Sequence, residues 1–157
     1  MRIILFIFLL TNFLVVNAQK NQPLRDSILK YQFSNPNLAI EYGMEYVEQR
    51  SGDKPDKEMV NTYSKIGEIL LYMELYSSSL DYFNTSLRLL NSIQEKDNGN
   101  ALHSSDNPPW IVLNIGNIYF KNRNYQKALE KFEQARSLFE IEKDPIDRKN
   151  GLYTSNS

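Results

Sequence analysis

The chain has 157 residues and a formal net charge of −1, from 18 Lys+Arg against 19 Asp+Glu, with no Cys, one His, one Trp and ten Tyr. That length suits about one domain. The balanced charge argues against a nucleic-acid binder, which carries a basic excess. The lack of Cys excludes a disulfide scaffold, a zinc ribbon and a thiol nucleophile. One His cannot build a His-rich metal site, and the six Gly stand singly, so no Gly-rich phosphate loop is present.

The N-terminus reads as an address. Met1-Arg2 is a short basic start, and Ile3 to Val16 is apolar apart from Thr11 and Asn12. Val16-Asn17-Ala18 then offers a small-residue cleavage site, which completes the layout of a secretory signal peptide over 1–18. The apolar run is 14 residues, short of the ~20 that span a bilayer as a helix. Cleavage after Ala18 is expected, which makes the protein exported, periplasmic or secreted. Membrane attachment is expected only if the signal stays uncleaved or a membrane helix follows Ser157. The mature chain keeps 139 of the 157 residues, starting at Gln19.

The mature chain reads as helices in succession. Pro23 can open the first, because its missing N–H costs nothing there, and Leu24, Ile28 and Tyr31 form its apolar side. Asn35-Pro36 is an N-cap followed by a first-turn proline. The second helix then runs to about Arg50 through Ala39, Tyr42/Gly43 and Tyr46. Ser51-Gly52-Asp53-Lys54-Pro55 is a turn by composition. A third helix is predicted over about 56–73 on the stripe Met59, Tyr63, Ile66, Leu70 and Met73, and a fourth over about 77–94 on Leu80, Phe83, Leu87 and Leu90. Glu95 to Asn107 is polar and reads as an inserted loop. Pro108-Pro109 starts a fifth helix reaching about Asn122, and Asn124 starts a sixth reaching about Lys143. Asp144-Pro145 breaks the pattern, and a seventh helix begins near Ile146. No segment alternates with period two for long enough to suggest a strand.

Self-comparison says more than any single motif. Gly67, Leu70, Tyr76, Ser79, Phe83 and Ser86 are separated by steps of 3, 6, 3, 4 and 3. Gly116, Tyr119, Tyr125, Ala128, Phe132 and Ala135 repeat those steps and the residue classes. Ala39, Gly43 and Tyr46 form a looser copy of the second half. A small residue on the first helix of each pair lets the second approach closely, and small residues on the second receive the bulky side chains of the first. Neither helix buries its stripe alone, so the pairs must stack on their neighbours.

This pattern resembles the tetratricopeptide repeat family. Asn117-Ile118-Tyr119-Phe120-Lys121-Asn122-Arg123-Asn124-Tyr125-Gln126-Lys127-Ala128-Leu129-Glu130-Lys131-Phe132 is similar to the core of that repeat. Units fall at about 24–50, 58–94 and 108–143, with the start of another at 146–157. Ser79 and Ser86 stand where the family usually has Ala. The step from Gly67 to Gly116 is 49 residues, about 15 beyond the family's roughly 34-residue period. The resemblance implies an all-α fold, a right-handed α-solenoid of antiparallel helix pairs. It also implies a non-catalytic scaffold that binds proteins or peptides without a cofactor, metal or nucleic acid. The first helix of each pair lines the concave face in that family. Asn61, Ser64, Glu68, Leu71 and Tyr72 would line it in the second unit, and Trp110, Leu113, Asn117, Phe120 and Lys121 in the third. Lys121 is expected to be offset by Glu68. Some members of the family grip a C-terminal carboxylate with clustered Lys, Arg and Asn, and that cluster is missing here.

Other patterns carry no chemistry. Glu41, Glu45 and Glu48 share a helix face and are expected to be solvated. Lys127, Glu130, Lys131 and Glu133 make ordinary helical pairs. His103 lies in the polar insertion, where no rigid element would place it for catalysis. The seventh helix looks like the opening of another pair, so the sequence resembles the N-terminal part of an exported repeat protein of the Bacteroidetes type. The alternative reading is the extracytoplasmic sensor portion of a longer signalling protein, a histidine kinase or a helix-turn-helix regulator.

Overall fold

The computed structural model describes residues 24–94, 108–141 and 145–155. The signal segment 1–18, the opening at Pro23, the insertion 95–107 with His103, and the predicted end of the sixth helix at Lys143 lie outside them. Among the described residues there is no strand. The chain divides between Gly52 and Asp53 into two compact units, inside the turn predicted at Ser51–Pro55.

The first unit contains α1, helical over 24–31, and α2, Pro36–Gln49. The Asn35 side chain accepts from the Leu38 N–H at 3.3 Å, and Pro36 takes the first turn, so the predicted cap forms. Ile28, Ala39, Gly43 and Tyr46 are buried. Tyr31 stacks on Tyr42 with ring centroids 5.9 Å apart. The Tyr46 hydroxyl accepts from Arg50 Nη1 at 2.6 Å, which gives a buried phenol a polar partner. Glu41, Glu45 and Glu48 are exposed, as expected of a solvated face.

The second unit holds α3 (Lys57–Tyr72), α4 (Tyr76–Gln94), α5 (Pro108–Lys121), α6 (Tyr125–Glu140) and α7 (Pro145–Ser155). Asp56 caps α3 by accepting from the Met59 N–H at 2.9 Å, and Asn124 caps α6 by accepting from the Lys127 N–H at 3.3 Å. α3 packs along α4 and α5 along α6, α4 meets α5, and α7 lies on α6. These stacked helix pairs are the arrangement of an α-solenoid. Fully enclosed side chains such as Phe83 and Phe139 anchor them, each stabilising by about 1.5–3 kcal/mol through apolar burial.

The two repeated glycines serve close approach. A Cβ on Gly67 would lie 3.0 Å from the Phe83 ring, and one on Gly116 would lie 2.5 Å from the Phe132 ring. Both rings therefore sit directly on glycine backbone, and the helices approach closely there as expected. Gly151 of α7 meets Phe139 in the same manner.

Three details differ from expectation. α3 buries far more than one stripe, including Val60, Thr62, Ser64 and Ile69 as well as Met59, Ile66 and Leu70. The reason is that α3 meets both α4 and α5. α6 ends at Glu140 rather than near Lys143. Its apolar stripe finishes at the enclosed Phe139, and Ile141, 76 % exposed, has nothing to cover. Ser79 and Ser86 are not passive stand-ins for Ala. Ser79 Oγ donates to the Gly67 carbonyl at 2.7 Å and Ser86 Oγ to the Val60 carbonyl at 2.9 Å, both fully buried. Each buried hydroxyl is thereby satisfied, and each bonds α4 directly to α3.

Candidate interaction surface

Two identical corners position the surface. After α3 the Leu75 N–H donates to the Leu70 carbonyl at 2.9 Å and the Glu74 N–H to the Leu71 carbonyl at 3.0 Å. After α5 the Asn124 N–H donates to the Tyr119 carbonyl at 2.9 Å and the Arg123 N–H to the Phe120 carbonyl at 2.9 Å. Each set is a Schellman motif, which satisfies the last helical carbonyls and turns the chain sharply. Its left-handed position is held by Glu74 with φ 60° and by Arg123 with φ 59°. These two residues are 49 positions apart, the spacing of Gly67 and Gly116. Tyr72 and Lys121 are therefore the last residues of equivalent helices with equivalent exits.

The ten expected face residues fall into five equivalent pairs with the same offset, and exposure agrees in all of them except Leu71 and Phe120. Asn61 and Trp110 are half-buried. Trp110 meets Phe139 edge-on at 4.9 Å, and Asn61 Oδ1 is enclosed without a hydrogen-bond donor, so both are packing positions. Ser64 and Leu113 are buried, at 7 % and 3 % exposure. Leu113 belongs to the core cluster with Val112, Ala135 and Phe139, which removes it from any open face. Its side chain is drawn inward because α6 packs along α5 there. Glu68 and Asn117 are half-buried. Leu71 is half-buried against the α4/α5 core, whereas its equivalent Phe120 is 53 % exposed. Tyr72 is 67 % exposed, and Lys121 is exposed. The accessible part of the expected face is thus Tyr72, Phe120 and Lys121, with Glu68 and Asn117 beside them on the same two helices.

The acidic residue of the face has a cationic partner on its own helix. Glu68 is met by Lys65. Residues at i and i+3 are neighbours on a helix surface, so Lys65 reaches the carboxylate first. On the α3/α4 side Tyr63 and Tyr82 lie with ring centroids 6.0 Å apart, and burial, with Tyr63 adding to it, raises the Tyr82 phenol above its usual value. Among the described residues, no group of three or more His, Cys, Asp or Glu is placed to hold a metal ion, and no helix is long and apolar enough to cross a membrane.

Sequence reasoning passed over Tyr125 and Leu129, which are each 59 % exposed. Tyr125 holds the repeat position of Tyr76, which packs on the core. Leu129 follows one turn later on the same face of α6, and the i, i+4 spacing of the two was the available signal.

Residues 111–140, which run from α5 to the last residue of α6, match the family model of the tetratricopeptide repeat. No curated protein matches the sequence. Among solved structures, the crystal structure of MamA is similar over 93 % of this chain and 82 % of that chain, at 14 % identity and a TM-score of 0.53. At that identity the likeness is one of fold.

Proposed function

We propose that the protein is an exported, non-catalytic scaffold that binds a protein or peptide segment along the neighbouring helices α3 and α5. The observation that carries this reading is the repeated row Glu68/Tyr72 and Asn117/Lys121, joined by Phe120, on helices whose ends are set by identical corners. Tyr72 and Phe120 offer large rigid area at low entropy cost, the composition of interface anchors. The Asn117 amide can donate to and accept from a peptide backbone at once. Glu68 and Lys121 supply charge of both signs at the rim, where it sets orientation more than affinity.

The reading is tested with a displayed library of short peptides selected on the full mature chain. Selected peptides should lose roughly tenfold or more in affinity on Tyr72→Ala or Phe120→Ala, while the circular dichroism spectrum stays that of the parent. Peptides that bind the doubly substituted chain as tightly as the parent would rule this surface out. Export rests on the 1–18 segment. Expressed with that segment in a bacterial host, the chain should be recovered outside the cytoplasm with Gln19 as its first residue. An intact Met1 in the cytoplasmic fraction would overturn that part.

A further inference from the structure

Tyrosine rings bridge α1 to α2 and α3 to α4. Tyr31 stacks on Tyr42, and Tyr63 lies against Tyr82 with ring centroids 6.0 Å apart and planes inclined at 36°. Packed aromatic pairs have centroids about 4.5–7 Å apart, so both pairs are in contact. Tyr42 and Tyr82 hold one repeat position, directly before Gly43 and Phe83 in the shared spacing. The two pairs differ in their surroundings. Lys30 Nζ lies over the Tyr31 ring, 5.0 Å from its centroid. That cation opposes removal of an electron, because a ring that has lost one is positive. Among the described residues, the other cations over tyrosine rings are Arg50 on Tyr46 and Lys127 on Tyr119, which leaves Tyr63 and Tyr82 without one. Both of these rings are half-buried. Burial, and then the Tyr63 phenol, favours the neutral form of Tyr82. Tyr63 exerts that influence through its phenol oxygen, so the oxygen-bearing ends of the two rings are neighbours. The carbons ortho to those oxygens are where oxidised phenols join.

We propose that Tyr63 and Tyr82 form an oxidative coupling site, at which a one-electron oxidant converts them into a dityrosine that staples α4 to α3. Each phenol gives one electron to an equivalent of oxidant and its proton to water, and becomes a phenoxyl radical. The two radicals join through one carbon–carbon bond between ortho positions. Each joined carbon then releases its hydrogen as a proton while its oxygen takes one up, which restores both rings and both hydroxyls. The net change is the loss of two hydrogen atoms. The 157 residues include no Cys, so no disulfide among them ties one helix to its partner. Phenol coupling supplies such a tie with other atoms. Tyr63 and Tyr82 are 19 residues apart, so the link closes a short loop and restricts the unfolded chain as a disulfide does. Meeting an oxidant outside the cytoplasm belongs to the export reading. Coupling of the purified chain tests the site without it.

The full mature chain, kept dilute, is oxidised by flash photolysis of ruthenium tris-bipyridine with persulfate as the terminal electron acceptor. The product should run as a monomer in a denaturing gel, be lighter by two hydrogen atoms and show dityrosine fluorescence. Tandem mass spectrometry should recover a linked Tyr63–Tyr82 peptide. Tyr63→Phe and Tyr82→Phe should each remove most of the intrachain fluorescence, while Tyr31→Phe leaves it in place. Each of these variants loses a hydroxyl and keeps the ring, so the fold is retained, which circular dichroism checks. Urea unfolding reads the staple. The midpoint of the parent should exceed that of Tyr82→Phe by more after oxidation than before it. Three results overturn the proposal. The first is linkage between chains only, with Tyr63 and Tyr82 recovered in unlinked peptides. The second is intrachain fluorescence that both Tyr63→Phe and Tyr82→Phe leave intact. The third is a Tyr63–Tyr82 link that brings no gain in urea, which removes the staple.

Discussion

The α3/α4 and α5/α6 pairs share a backbone and differ in how it is held. Their corners carry the same hydrogen bonds and the same left-handed residue position, and in each a glycine lies under a phenylalanine ring. Yet Phe83 is fully enclosed and Phe132 only half so, and two buried serines tie α4 to α3 where α6 has Ala128 and Ala135. A repeat therefore specifies its own geometry through local chemistry, while its energetics depend on the neighbour that stacks on it.

The largest contrast lies in the two phenylalanines. Phe83→Ala should cost about 3–5 kcal/mol, the usual range for an enclosed phenylalanine. Phe132→Ala should cost less, about 1–2 kcal/mol, because that ring is only partly buried. Urea unfolding of both variants measures the difference, and equal losses would show that α5 does not protect the first pair as its burial implies. The serines come next. Ser79→Ala and Ser86→Ala should each lose about 0.5–1.5 kcal/mol, since a buried hydrogen bond disappears while each carbonyl keeps its place in the α3 helix. The reciprocal Ala128→Ser should stay within about 0.5 kcal/mol of the parent, because the new hydroxyl gains a carbonyl and fills little space.

The corners should respond alike. Glu74→Gly and Arg123→Gly each relieve a side chain in left-handed backbone, and each should gain about 0.5–1 kcal/mol in thermal unfolding. Unequal gains would mean that the two turns differ in strain despite their matching angles. The smallest effect is alkaline and belongs to the first pair alone. Burial, and then Tyr63, raises the Tyr82 phenol above 10.0, so the fold favours its neutral form. The stability this provides is complete below the ordinary tyrosine value and is lost as pH rises through the folded one. Tyr82→Phe should flatten the fall in melting temperature above about pH 10. The equivalent positions in the second pair are Val112 and Lys131, so no tyrosine there contributes a matching alkaline effect.

Much of this was legible in the residues. Asn35-Pro36, Asn124 and Pro108 marked helix starts that the structure places at Pro36, Tyr125 and Pro108. The repeated spacing marked Gly67 and Gly116 as positions of close helix approach, and the structure supplied the phenylalanine rings that lie on them. The candidate face was less legible. A helix position says which side a residue takes, but Leu113 and Ser64 sit at the edge of a face, and only the packing of neighbouring helices made them core. The partner of Glu68 is Lys65, its neighbour one turn away on the same helix.

By itself, then, the sequence determined the helix pairs, their turns and the register in which they repeat, because caps, small residues and apolar spacing act over a few residues. The tertiary structure alone decided which of two equivalent residues is covered. Tyr76 and Tyr125 hold the same repeat position, and so do Leu80 and Leu129. The first of each packs beneath α5, and the second stands open. Burial depends on what arrives from elsewhere in the chain, and local spacing carries no record of that.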